Sequence, residues 1–160
     1  MAHLPDAAKL AISIGASQAA GVIGSLFTAR NVGVWYQTLR KPSWTPPSGI
    51  FGPVWISLYL LMGIAAFLVW RRGLAEEGVR TALVLFLIQL VLNTLWSAAF
   101  FGVPSPLAGL IAIIALWVMI LLTIVAFLRI SLGAGLLLLP YILWVSFAAA
   151  LNLSILLLNR

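Results

Sequence analysis

The chain has 160 residues, 64% of them hydrophobic and 8% charged, with a net charge of +6 and no cysteine. Soluble domains carry roughly 25% charged residues, so a water-soluble fold is excluded, and the long unalternating apolar runs exclude a membrane β-barrel, whose strands alternate apolar and polar residues. The nine Lys and Arg are spread over tails and loops, too thinly to neutralise a row of phosphates, which argues against nucleic acid as a partner. The class that remains is an all-α integral membrane protein.

Five apolar segments are each long enough to cross a bilayer, which takes about 20 helical residues. The first covers about 8–28. The preceding MAHLPDAAKL offers no cleavage site, so this run reads as a retained helix. Ala11, Gly15 and Ala19 recur at helical spacing and make a candidate homodimer surface. A lid is predicted over 31–50. Within it, Asn31 is expected to cap a short helix reaching Leu39, Lys41-Pro42 to break that helix, and Pro46-Pro47 to hold the chain extended. The stretch from Trp35 to Trp55 holds three of the seven tryptophans and four of the eight prolines. It is too long for a passive connector and too apolar for disorder in water.

The second span covers about 51–70, with Pro53 in its first turn, where a missing N–H costs little. Arg71 and Arg72 end it. The third covers 81–101 and is followed by a turn with Gly102, Pro104 and Pro106. The fourth covers 107–128 and stops at Arg129. The fifth covers 132–158, with Pro140 expected to kink it. Five spans put the termini on opposite sides, with the lid, the 3–4 turn and the C-terminus together on one. That lid side holds Arg30, Arg40, Lys41 and Arg160; the far side holds Lys9, Arg71, Arg72, Arg80 and Arg129. The balance is too even for the positive-inside rule to orient the chain.

Polar and aromatic groups inside the spans are few and fall on shared faces. Gln89, Asn93 and Trp96 share one face of the third span. Tyr141, Trp144, Ala148 and Asn152 share one of the fifth, and Trp55, Tyr59 and Met62 one of the second. Counting along each span puts Asn93 and Trp144 near the midplane and Trp55 one turn from the lid side. A cavity walled by aromatic rings and a few polar groups is therefore predicted under the lid. Its candidate ligand contacts are Trp35, Trp44, Phe51, Trp55, Gln89, Asn93, Trp96, Tyr141, Trp144 and Ala148. Trp35, Trp44 and Trp70 also suit an interfacial aromatic belt. Gln89 and Asn93 suit hydrogen bonds between helices, each worth about 1 kcal/mol. Trp117 has no polar neighbour on its face and reads as packing or lipid-facing.

The acidic residues are Asp6, Glu76 and Glu77 and the one histidine is His3, all remote from that cavity. No carboxylate pair, catalytic triad or metal cluster can be assembled there, and Met62 is the sole candidate ligand for a haem iron. Proton- or sodium-coupled transport through buried carboxylates lacks its residues. No cofactor is expected. The residues present suit a flat, apolar, partly anionic ligand, stacked on aromatic rings and held at its acidic edge by Arg30, Arg40 or Lys41. With a light-absorbing ligand, neighbouring indoles could pass electrons.

WYQTLRKPSWTPP followed by FGPVW, LNTLWSAAFFG in the third span and LPYILWVSFAAALN in the fifth resemble the TspO/translocator protein family, also called the tryptophan-rich sensory protein or peripheral-type benzodiazepine receptor family. The resemblance runs from about Gly24 to Asn152. It implies a five-helix bundle, commonly a homodimer, whose 1–2 loop closes a pocket, and it points to a bacterial member in a cell membrane. It further implies binding of porphyrins such as protoporphyrin IX and haem, and of isoquinoline carboxamide and benzodiazepine drugs, with roles in tetrapyrrole sensing, transport or disposal. Some members are reported to degrade protoporphyrin in light, with two tryptophans that match Trp55 and Trp144. The family's pocket asparagine matches Asn93 and its small residue on the fifth helix matches Ala148. A lipid- or sterol-interacting scaffold is a further alternative. However, the Tyr of the animal cholesterol motif is missing from LSILLLNR after Asn152. The chain also has Leu107-Ala108 where some relatives carry Trp.

Overall fold

The computed structural model describes residues 4–160; His3 lies outside them. Seven helices follow one another: α1 (Asp6–Asn31), α2 (Trp35–Thr38), α3 (Ser48–Trp70), α4 (Val79–Ser97), α5 (Pro106–Ile130), α6 (Leu132–Leu137) and α7 (Leu139–Leu158). A π-helical turn, Ala98–Gly102, extends α4. No strand occurs among the described residues. With α4 joined to its π turn and α6 to α7, five segments are long and apolar enough to cross a membrane. The protein is a multi-pass integral membrane protein.

Local chemistry sets the helix ends. Asp6 lies in the first turn of α1, where a carboxylate meets the positive end of the helix dipole. Gly78, at φ +82°, turns the chain into α4 in a conformation costly for a residue with a Cβ. Ser105 and Ser131 cap α5 and α6, accepting from the backbone N–H of Ala108 and Ala134.

Three expectations change. Asn31 does not cap the lid helix: it is the last residue of α1, and its Nδ2 donates to the Phe101 carbonyl at 2.6 Å. The fifth span is not one kinked helix. It breaks at Leu138, and Pro140 falls in the first turn of α7, where no N–H is required. The third span ends in the π turn, which inserts an extra residue into the helical register and leaves both Phe100 and Phe101 buried.

The spans pack as a ring in the order α1, α3, α6–α7, α5, α4 and back to α1. On the far side the ring is tight. A Cβ on Gly63 would lie 2.6 Å from the Ile14 Cα, so α3 and α1 meet there backbone to backbone. Met62, Val69, Val79, Ile120, Phe127 and Ala134 fill that half with no exposure. A second, smaller cluster of Tyr36, Phe100, Phe101, Leu151 and Ile155 lies under the lid.

Candidate functional site

Between these two clusters the bundle holds a partly open cavity of about 710 Å3, within the usual size of small-molecule sites. One face of α1, the first turns of α3, the end of α4 with its π turn, and α7 form the wall; Tyr36 and Gln37 of the lid border it. None of the lining residues is charged.

Its floor is a hydrogen-bond chain across three spans. Tyr59 OH donates to Asn93 Oδ1 at 2.5 Å, and Asn93 Nδ2 donates to Tyr141 OH at 2.7 Å. Tyr141 OH in turn donates to Gln89 Oε1 at 2.8 Å. All four side chains are buried, and chaining them satisfies groups that would each cost about 1–3 kcal/mol if left unpaired. Asn93 joins helices and also lines the cavity. Gln89 and Tyr141 support the floor from behind and do not line it. Met62 is fully buried at that level, its sulfur 3.9 Å from Gln89 Nε2, and it too is absent from the lining.

The aromatic wall is continuous. The Trp55 ring stacks on Tyr59 at 5.6 Å and lies 6.0 Å from Trp96, which is 6.3 Å from Phe100. Offset and tilted ring pairs at such spacings are mutually stabilising, so the rings brace one another. Among the lining residues, the Trp96 Nε1 and the Asn152 Oδ1 are both buried with no partner among the described residues. Phe51 and Ala148 also line the cavity, as does Asn152, whose Nδ2 donates to the Pro106 carbonyl at 2.7 Å.

Other expected residues lie elsewhere. Trp144 stands behind Phe51, at 5.7 Å, and beside Phe147, outside the lining. Trp44 rests on Phe147 at 5.6 Å, and Trp35 on Phe100 at 5.4 Å, so both fasten the lid from outside the cavity.

The basic pair is not brought to the cavity either. Lys41 Nζ donates to the carbonyls of Tyr36 (2.7 Å) and Leu39 (3.2 Å) and sits 4.6 Å over the Tyr36 ring. A cation there complements the negative end of α2. Arg40 takes part through its backbone: its N–H donates to Asn159 Oδ1 at 3.0 Å, and Asn159 Nδ2 donates back to its carbonyl at 2.9 Å. Those reciprocal bonds clasp the lid to the end of α7. Trp117 does find a polar partner, on another helix, where its Nε1 donates to Ser146 Oγ at 2.8 Å.

Sequence reasoning missed Tyr36, Phe100, Phe101 and the cavity face of α1. Burial pushes the Tyr36 phenol above its ordinary range. The α1 face carried a readable signal: Gln18, Gly21, Ser25 and Thr28 recur at i, i+3, i+7 and i+10, one helical face of small and polar residues. Tyr36 and the two phenylalanines carried none, because lid closure and a π turn decide their direction. Among the described residues no group of three or more His, Asp or Glu could hold a metal ion.

The family model described as TspO/MBR matches residues 13–158, which include the lid, the floor and every cavity-lining element. The chain belongs to the TspO/MBR family. It is 51% identical over 150 residues to the tryptophan-rich protein TspO of Chlorobaculum tepidum, covering 94% of this chain and 95% of that one. To the tryptophan-rich protein TspO of Archaeoglobus fulgidus it is 49% identical over 151 residues, covering 94% and 97%. To the translocator protein of Homo sapiens it is 38% identical over 132 residues, covering 81% and 78%. The likeness to family members thus spans bacterial, archaeal and animal proteins and takes in most of each chain.

Proposed function

We propose that this protein is a membrane receptor or carrier for porphyrins of the protoporphyrin IX and haem type, serving tetrapyrrole sensing, transport or disposal. The observation that carries this reading is the uncharged, aromatic-walled cavity of about 710 Å3, in which Trp55, Tyr59, Trp96 and Phe100 offer aromatic surface to a flat macrocycle. Flat isoquinoline carboxamide and benzodiazepine drugs suit the same walls. A homodimer in the bilayer belongs to the same proposal. The acidic edge of a porphyrin has no charged partner in the cavity, so it lies toward the lid-side membrane surface. Titrating protoporphyrin IX into the detergent-solubilised protein is expected to quench tryptophan emission saturably, and replacing Trp55 and Trp96 together with Phe to weaken binding. Absence of quenching in the unaltered protein sinks the reading.

A second reading is light- and oxygen-dependent degradation of protoporphyrin. It is favoured by Trp55 in the wall and by Trp144 one ring behind it, across Phe51. Bleaching under illumination that equals the rate for porphyrin in detergent alone eliminates it.

A further inference from the structure

We propose that the cavity is loaded sideways from the bilayer, through a slot between α1 and the first two turns of α3, by apolar or amphiphilic molecules dissolved in the membrane. The inference rests on the cavity being a ligand site; it does not require the ligand to be a porphyrin.

The two helices run antiparallel and part as they approach the lid. Their closest meeting is at Gly63 and Ile14. Nearer the lid, Gly21 packs directly on the Tyr59 ring, and Gln18 Nε2 donates to the Ile56 carbonyl at 3.1 Å. Beyond that bond the contact ends: a Cβ on Gly52 or on Gly49 would meet no heavy atom within 4 Å. The cavity residues along this edge, Val22, Ser25, Gly52 and Ile56, are exposed, whereas those deeper in, Tyr59, Asn93, Ser97 and Phe100, are buried. The cavity therefore continues through the slot to the outer surface of the bundle.

The edge between α3 and α7 is shut. On its opposite side α3 is sealed to α7 by Phe51 against Trp144 and Trp55 against Tyr141. Above, the lid is held by the Asn159–Arg40 clasp, by Lys41, and by Trp35 and Tyr36 on Phe100, while Gly33, Gln37, Ser48 and Gly49 of the lining are exposed, so the slot runs up to the lid-side surface.

The surroundings of the slot name its occupant. α1 and α3 are both membrane spans, and Val22, Leu26 and Ile56 around the opening are exposed, so hydrocarbon faces it. Of the hydroxyls beside it, Ser25 is bonded to the Val22 carbonyl at 2.7 Å and Ser57 to the Pro53 carbonyl at 2.9 Å, and Ser48 lies at the lid-side end. Such a wall is compatible with lipid and opposes entry of free ions. A bilayer-dissolved molecule enters with its apolar body foremost, and its polar edge remains at the lid-side surface.

Two glycines of the lining separate this route from entry past the lid. Gly52 is in the slot, and Gly33 is on the turn between α1 and α2. Neither has a heavy atom within 4 Å of its Cβ position, so each accepts a larger side chain without a clash at that carbon. With the protein in phosphatidylcholine vesicles, protoporphyrin IX partitioned into the bilayer is followed by stopped-flow tryptophan quenching. Gly52→Leu is expected to slow association by about tenfold relative to Gly33→Leu; equal slowing, or greater slowing by Gly33→Leu, overturns the proposal. A second arm needs no porphyrin. Phosphatidylcholine brominated on its acyl chains quenches tryptophans it reaches, and the Trp55 share is obtained by difference from Trp55→Phe. That share is expected to be quenched in the unaltered protein and protected in Gly52→Leu. An unquenched Trp55 share, or one quenched equally in both, also overturns the slot. If protoporphyrin binds neither variant nor the unaltered protein, the porphyrin reading fails and the bromine arm still decides the route.

Discussion

The two halves of this bundle are built from the same helices and behave oppositely. On the far side, small and aliphatic residues let backbones touch, as at Gly63 on Ile14, and the interior between the spans is filled by fully buried side chains. On the lid side, indole and phenyl rings hold the helices apart, glycines such as Gly52 meet nothing, and a cavity results. Close packing of interdigitated aliphatic side chains supplies stability, whereas large rigid rings braced against one another leave room for a ligand. The border between the regimes is the Tyr59–Asn93–Tyr141–Gln89 chain. Tight half and open half can therefore be altered separately.

The largest effect is expected in the tight half. Gly63→Val forces a branched side chain into the Ile14 backbone and should cost about 3 kcal/mol or more through overpacking, seen as a steep fall in thermal midpoint in detergent. A midpoint unchanged within error would dissolve the contrast. At the border, Asn93→Leu leaves the Tyr59 and Tyr141 hydroxyls short of partners and should cost about 2 kcal/mol while also weakening porphyrin affinity; loss of stability without loss of affinity would remove Asn93 from the site. On the lid, Asn159→Ala removes the two reciprocal bonds to Arg40 and should cost about 1 kcal/mol, read as faster protoporphyrin dissociation. Lys41→Met should weaken protoporphyrin and its dimethyl ester equally, because the ammonium serves the lid's own carbonyls. Selective loss of the free acid would instead return Lys41 to the ligand. The smallest effect belongs to the open half: Gly52→Ala should be neutral or stabilising by under about 1 kcal/mol, since the helix gains propensity and the Cβ meets nothing.

The floor and much of the aromatic wall were legible because they obey helical periodicity. Asn93 and Trp96 follow Gln89 on one face, and Trp55 precedes Tyr59 by one turn, so spacing alone brings them together once the spans are recognised. The lid was legible as a lid, from its tryptophans and prolines. Its chemistry was not. Lys41 looked like a free cation because a sequence does not reveal that two carbonyls and a ring lie within its reach. Trp144 shares a face with Tyr141 and Ala148, yet Phe51 stands between it and the cavity, which is a fact of packing between helices.

Sequence alone determined the membrane class, the five spans, the place of the lid and the polar faces that meet beneath it. Each follows from composition or from a period of 3.6 residues, which act along one chain segment at a time. The tertiary structure alone decided which side chains face the cavity, what the lid's basic residues are used for, and where α1 and α3 part to leave a slot. Those depend on distances between segments, set by how glycines and aromatic rings from different helices fit against one another, and no local pattern encodes them.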